Sequence, residues 1–219
     1  MTMSPGSAFP YPSFRFDEIA QAPDRPGIYA WYHQVRLSKA DVDDFIQRAA
    51  ALDGEARAAR VESYLRDRVF EPYRESPYQI ALRGGLKPEY GGHVAHQPRV
   101  SRGTVETLSA RPEGMREVSA LLTKMVPVFA SPIYIGVATR SLRTRLTQHA
   151  KLIEEYRERP PASVPDDEGH SFAFEAVCER GLRPLELVVY VIETPVSSEI
   201  QLVAEYIFNR INYPLCGRR

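Results

Sequence analysis

Two triplets do most to limit what this chain can fold into: Gly27-Ile28-Tyr29 and Tyr134-Ile135-Gly136. Each is built from the apolar and aromatic residues that ordinary strands use. Residues 27–33 alternate, with Tyr29 and Trp31 on one face and Ile28, Ala30 and Tyr32 on the other. Residues 133–138 form a second strand. A third apolar, β-branched run at 185–192 has the composition of a central strand buried on both faces.

Helical patterns fill most of what lies between. Ser38 caps a helix running to about residue 52, with Asp41 three positions on. A second helix spans 55–70, with Val61, Leu65 and Val69 as its apolar stripe. From 72 to 111 the pattern breaks into Pro, Gly and polar residues, with strands at 78–82 and 93–100. Helical spacing returns over 113–128 through Met115, Val118, Leu122 and Met125. The helix at 142–157 buries Leu142, Leu146, Ala150 and Ile153. A polar loop follows at 160–167, and 172–178 has no clear period. Ser197 or Ser198 caps a last helix through residue 211, whose buried stripe is Ile200, Val203, Ala204, Ile207, Phe208 and Ile211. Pro214 ends it. Ahead of the first triplet, 14–22 is a short helix or ordered lead-in, and 1–12 is a loose arm.

With 35–130 set aside, the remainder has the order β, β, α, β, α. The expected class is therefore α/β (α+β): a small three-stranded antiparallel sheet flanked by helices, formed by 1–34 and 131–219. Residues 35–130 are a mainly helical insertion. Closing so long a loop is tolerable, because the cost rises only about 0.6 kcal/mol per doubling of length.

Lys plus Arg equals Asp plus Glu, 28 against 28. That balance argues against a protein that coats nucleic acid nonspecifically, yet leaves room for a local basic track. Two cysteines, Cys178 and Cys216, are too few for a disulfide framework or a zinc site. No apolar run reaches membrane-spanning length and the N-terminus lacks a signal-peptide pattern, so a cytoplasmic, reducing setting is expected.

Five residues carry candidate chemistry. Arg145 and His149 stand four apart, hence on one face of a helix at the edge of the core. Tyr29 and Tyr134 come from the two triplets, and Glu205 from the flank of the last helix. Taken singly, each is an ordinary packed or solvated residue. Arg140, Arg143 and Lys151 add positive charge around Arg145, with no acid between 140 and 151.

In this order the two triplets, the Arg–His helix and the later Glu resemble the GIY-YIG nuclease superfamily. The resemblance covers about half the chain, at its two ends. It implies a metal-dependent endonuclease acting on phosphodiester bonds. Tyr29 would be the general base or position the attacking water, and Tyr134 would orient water or phosphate. Arg145 would grip the phosphate, and Glu205 would hold Mg²⁺ or another divalent cation such as Mn²⁺. Tyrosine ionises near pH 10, so a base role at neutral pH costs roughly 4 kcal/mol and needs help from His149 or the metal. Arg140, Arg143 and Lys151 would be nucleic-acid contacts, with Arg140 and Arg143 also in reserve for the gripping role. The expected substrate is DNA, in a restriction or defence setting. These residues do not separate DNA from RNA, or a double from a single strand. The insertion would serve target recognition, a homodimer or a protein partner, and no membrane role is expected.

Two positions depart from the family pattern. Gly217 stands where an asparagine is usual, and Val137 follows the second triplet where many members have a polar residue. Asn212 is the nearest replacement for that asparagine. The departures leave open a catalytically degenerate module of the same fold. His93 and His96 form an isolated pair without a third ligand, and Gly84-Gly85 and Gly91-Gly92 mark turns.

Overall fold

The computed structural model describes residues 11–74, 78–84, 87–94, 99–158 and 171–216. The N-terminal arm to residue 10, His96, the loop at 160–167 and Gly217 lie outside them. The strands are β1 (Ser13–Arg15), β2 (Gly27–His33), β3 (Tyr78–Gly84), β4 (Lys87–Val94), β5 (Tyr134–Ala138) and β6 (Leu187–Glu193). The α-helices are α1 (Lys39–Ala50), α2 (Gly54–Leu65), α3 (Arg102–Ala110), α4 (Met115–Phe129), α5 (Leu142–Glu158), α6 (Phe172–Phe174) and α7 (Ser198–Asn212). The class is α+β. The chain forms two compact units, one from the stretches 1–37 and 116–219 and the other from 38–115.

The first unit is built on an antiparallel sheet in the order β1-β6-β2-β5. It has four strands rather than three, because Ser13–Arg15 adds to the free edge of β6. Register places Tyr29 opposite Gly136 on β5 and opposite Val191 on β6. Trp31 lies opposite Tyr134 and Val189. Directly paired residues share a face, so both tyrosines, Trp31 and Gly136 point the same way. Burial alternates along β2 as the sequence pattern requires, with Tyr29, Trp31 and His33 inside.

That face is covered by α5, the 3₁₀ turn Phe16–Gln21, and α6 with the π-helical turn Glu175–Glu179 that continues it. Leu142, Leu146, Ile153, Phe172, Val189 and Trp31 meet there in one core. The start of α5 is tied to the turn before β2. Leu142 N–H donates to Arg25 C=O, Arg143 N–H to Pro23 C=O, and the Ser141 hydroxyl to Asp24 at 2.5 Å. Ser141 also caps the helix by accepting from Thr144 N–H. These bonds fix the rotation and height of α5 over the sheet, and therefore where Arg145 and His149 stand.

α7 departs from its sequence pattern. Its inward side carries Gln201, Ala204, Glu205, Asn209 and Asn212, and Gln201 is its one buried residue. Ile200, Val203, Ile207 and Ile211 are instead 48–67% exposed. The expected buried stripe thus faces outward, about a quarter to a third of a turn away from the packed side.

In the second unit, α1 and α2 pack together through stacked Phe45 and Tyr64, with ring centroids 4.3 Å apart. Ser38 caps α1 by accepting from Asp41 N–H at 3.0 Å. α2 ends in a π-helical turn, Arg66–Phe70, which keeps Val69 buried beside Val61 and Leu65. The second strand of the β3–β4 pair spans Lys87–Val94, which takes in the start of the strand expected at 93–100; residues 95–98 lie outside the described residues. α3 was not expected, although Ser101 caps it by accepting from Thr104 N–H. α4 begins in this unit and continues in the first, where Gln34 Nε2 donates to Thr123 C=O. Among the described residues no helix is long and apolar enough to cross a membrane.

Candidate active site

The two triplets meet across the β2–β5 ladder. A side chain at Gly136 would have its Cβ 2.5 Å from the Tyr29 hydroxyl oxygen and 2.9 Å from Tyr134 Cε1. Glycine there is what allows the Tyr29 phenol to cross over β5 and reach α5. It ends at His149, where the Tyr29 hydroxyl and His149 Nε2 form a buried 2.7 Å hydrogen bond.

Around this bond the rings close into a cluster. Tyr29 and Tyr134 have centroids 6.2 Å apart, and His149 lies 5.6 Å from each. Phe172 stacks on Tyr134 at 4.7 Å and meets His149 edge-on at 5.4 Å. Residues 172–178 have no clear period, and no sequence pattern marks Phe172 as part of the site. Its one local signal was Ser171, whose hydroxyl accepts from Phe174 N–H and starts the helical turn.

Exposure grades across the cluster. Tyr29 is 1% exposed and His149 5%. Tyr134 is half-buried and Arg145 is exposed. The Arg145 charge acts on both phenols. It also donates to Gln148 Oε1 at 3.4 Å. The site is thus a buried Tyr–His pair beneath a guanidinium and a second phenol that face solvent.

Burial governs the ionisation of this pair. It pushes the Tyr29 phenol well above its ordinary value, the Tyr134 phenol adds to the rise, and Arg145 opposes it. His149 is pushed down to about 3, first by burial and then by the Arg145 charge. It is neutral at ordinary pH and can accept at Nε2. Burial draws the Arg145 guanidinium down, but the two phenols outweigh this and leave it raised.

Four of the five expected residues therefore come together: Tyr29, Tyr134, Arg145 and His149. Glu205 is half-buried on the inward side of α7, the helix that packs against β5 and β2, the strands bearing both tyrosines. Asn212 shares that side, but its amide donates to the Phe208 carbonyl within α7. The flanking basic residues divide. Arg140 is exposed, Arg143 donates through Nε to Ala22 C=O at 2.8 Å, and Lys151 lies 3.8 Å from Glu155. The geometry thus favours Arg145 over Arg143 for gripping an anion.

The donor set limits which ion the site suits. Among the described residues no three His, Cys, Asp or Glu side chains converge. A lone carboxylate, as expected of Glu205, would suit Mg²⁺, which keeps several waters and shares substrate phosphates, and would not make a zinc-type cage. Trp31, Tyr32 and Tyr190 have packing roles. Trp31 lies 5.5 Å from Phe172, and Tyr32 meets Tyr190 edge-on at 5.4 Å. Cys178 and Cys216 are free thiols. No protein-family model, curated protein or solved structure matches the chain.

Proposed function

We propose that this chain is a metal-dependent endonuclease of the GIY-YIG type, hydrolysing phosphodiester bonds in DNA. The observation that carries the proposal is the buried 2.7 Å bond between Tyr29 and His149, on which the charge of the exposed Arg145 acts. A phosphodiester needs an activated water, a counter-charge for its oxygens and help for the leaving group. Arg145 supplies the counter-charge, with donors arranged for two oxygens at once.

Tyr29 does not need to become a free tyrosinate. Its oxygen can take a proton from water as its own proton moves to His149 Nε2. Arg145 opposes that transfer by holding His149 down, and a bound phosphate offsets the Arg145 charge. Substrate binding therefore makes His149 a better acceptor. Glu205 would hold the divalent cation, which would neutralise phosphate charge and acidify a bound water. A cytoplasmic setting and a restriction or defence role belong to the same proposal.

A second reading is favoured by one observation, the near-complete burial of Tyr29 and His149. Water must reach the Tyr29 hydroxyl for turnover, whereas a binding module needs only Arg145 and Tyr134 at the surface. Plasmid and single-stranded DNA incubated with Mg²⁺ or EDTA separate the two. The nuclease predicts scission that EDTA stops and Glu205→Ala abolishes. Retention of DNA without scission, under Mg²⁺ and Mn²⁺ alike, would leave the module.

A further inference from the structure

The outward face of α7 carries an observation independent of catalysis. Ile200, Val203, Ile207 and Ile211 are each 48–67% exposed and form one stripe, while the inward side of the same helix holds Gln201, Glu205 and Asn209. Tyr213, just past the helix end, is 75% exposed. Single apolar residues scattered over a surface are ordinary, whereas a contiguous apolar stripe along a whole helix marks an interaction site.

The charges on α7 select the partner. Glu199 and Arg210 are eleven positions apart, so they lie nearly in line on one flank of the Ile200–Val203–Ile207–Ile211 stripe, about three turns from each other. Neither makes an ion pair among the described residues, and Arg210 instead lies over the Tyr206 ring at 5.5 Å. When two copies of one helix pack antiparallel about a two-fold axis, the same flank of each meets the other. Glu199 of each copy then faces Arg210 of its partner, at both ends of the contact. The stripe also matches itself in this direction, Ile200 of one copy against Ile211 of the other. A parallel pair would bring opposite flanks together and leave both charges unmatched.

The geometry points to a second copy of this chain as the occupant: the protein is a homodimer through an antiparallel α7–α7 contact. Glu205 lies on the other side of the helix, so the contact leaves that carboxylate uncovered in each copy. This differs from pairing through the 38–115 unit.

Sedimentation equilibrium of the full chain tests the proposal. The expected species has twice the 24.8 kDa chain mass across the micromolar range. Val203→Glu with Ile207→Glu, both at exposed positions, gives a monomer with unchanged circular dichroism. Glu199→Arg weakens the dimer about tenfold by placing like charges together, and adding Arg210→Glu restores it. A wild-type monomer throughout this range overturns the proposal, whether another protein or another part of the chain covers the face. So does a dimer indifferent to the Val203/Ile207 change. Failure of the charge swap to restore association overturns the antiparallel arrangement.

Discussion

On the proposed nuclease activity, Arg145→Ala is expected to lower DNA cleavage by roughly 10²–10³-fold, the usual consequence of removing one fixed donor from the charge that develops at a reacting centre. Its effect on folding is small, because the side chain is exposed and the buried face of α5 is made by Leu142, Leu146 and Ile153. Two effects oppose each other in the variant. Loss of the guanidinium lets the pKa of His149 rise, since Arg145 is one of the two causes holding it down. That alone would make His149 a better proton acceptor. The loss of phosphate neutralisation outweighs it, because His149 remains buried and burial is the larger cause of its depression. Arg145→Lys recovers only part of the rate, since an ammonium cannot hold two oxygens in the plane of a guanidinium. Single-turnover rates at saturating Mg²⁺, with thermal melts run in parallel, give both quantities. Wild-type rates in Arg145→Ala would move the phosphate grip to Arg140.

The two triplet glycines are predicted to fail in different ways. At Gly27, a Cβ would run into the Ile192 carbonyl oxygen and lie 2.8 Å from Leu142 Cδ1. A backbone oxygen in the adjacent strand cannot swing aside, so β2 and β6 must part or shift. Gly27→Ala therefore costs about 3 kcal/mol of stability, at the upper end of ordinary overpacking. At Gly136 the obstacles are the Tyr29 hydroxyl at 2.5 Å and the Tyr134 ring at 2.9 Å, both side-chain groups. Gly136→Ala can relax by displacing the phenols, at about 1–2 kcal/mol. That displacement breaks the Tyr29–His149 bond, so activity falls further than stability does. Denaturant unfolding and cleavage rates on both variants should show this crossed pattern. Equal stability losses with equal activity losses would mean that the glycines serve packing alone.

Much of this arrangement was legible in the sequence because it rests on local periods. Alternation over 27–33 gave β2 with its bounds and its faces. The spacing of four between Arg145 and His149, beside the stripe Leu142–Leu146, put both on one edge of α5. Where non-local partners decide, the sequence was less informative. β1 has three residues and forms by pairing with β6. β4 contains Pro88, Gly91 and Gly92 and is held by register with β3. α3 lies among glycines and prolines, with only the Ser101 cap to announce it. Phe172 reaches the site through the packing of α6 on α5, which no local spacing encodes.

α7 shows the converse case. Its apolar period is strong, and the rule that apolar faces turn inward places Val203 and Ile207 in the core. They lie outside it, because Gln201 is the residue seated against the fold. Its amide donates to the Thr194 hydroxyl at 2.8 Å and to the Val196 carbonyl at 3.3 Å. Periodicity reports which side of a helix avoids water, and a partner chain satisfies that demand as well as a core does.

The role of the buried phenol is tested most directly by Tyr29→Phe, which removes one oxygen from a ring otherwise held in place. Cleavage of an end-labelled duplex under single-turnover conditions with Mg²⁺ gives the rate, and a binding titration in Ca²⁺ gives the affinity. The account predicts a rate lower by about 10²-fold or more, with DNA affinity within twofold of wild type. Unchanged cleavage in the phenylalanine variant would contradict it.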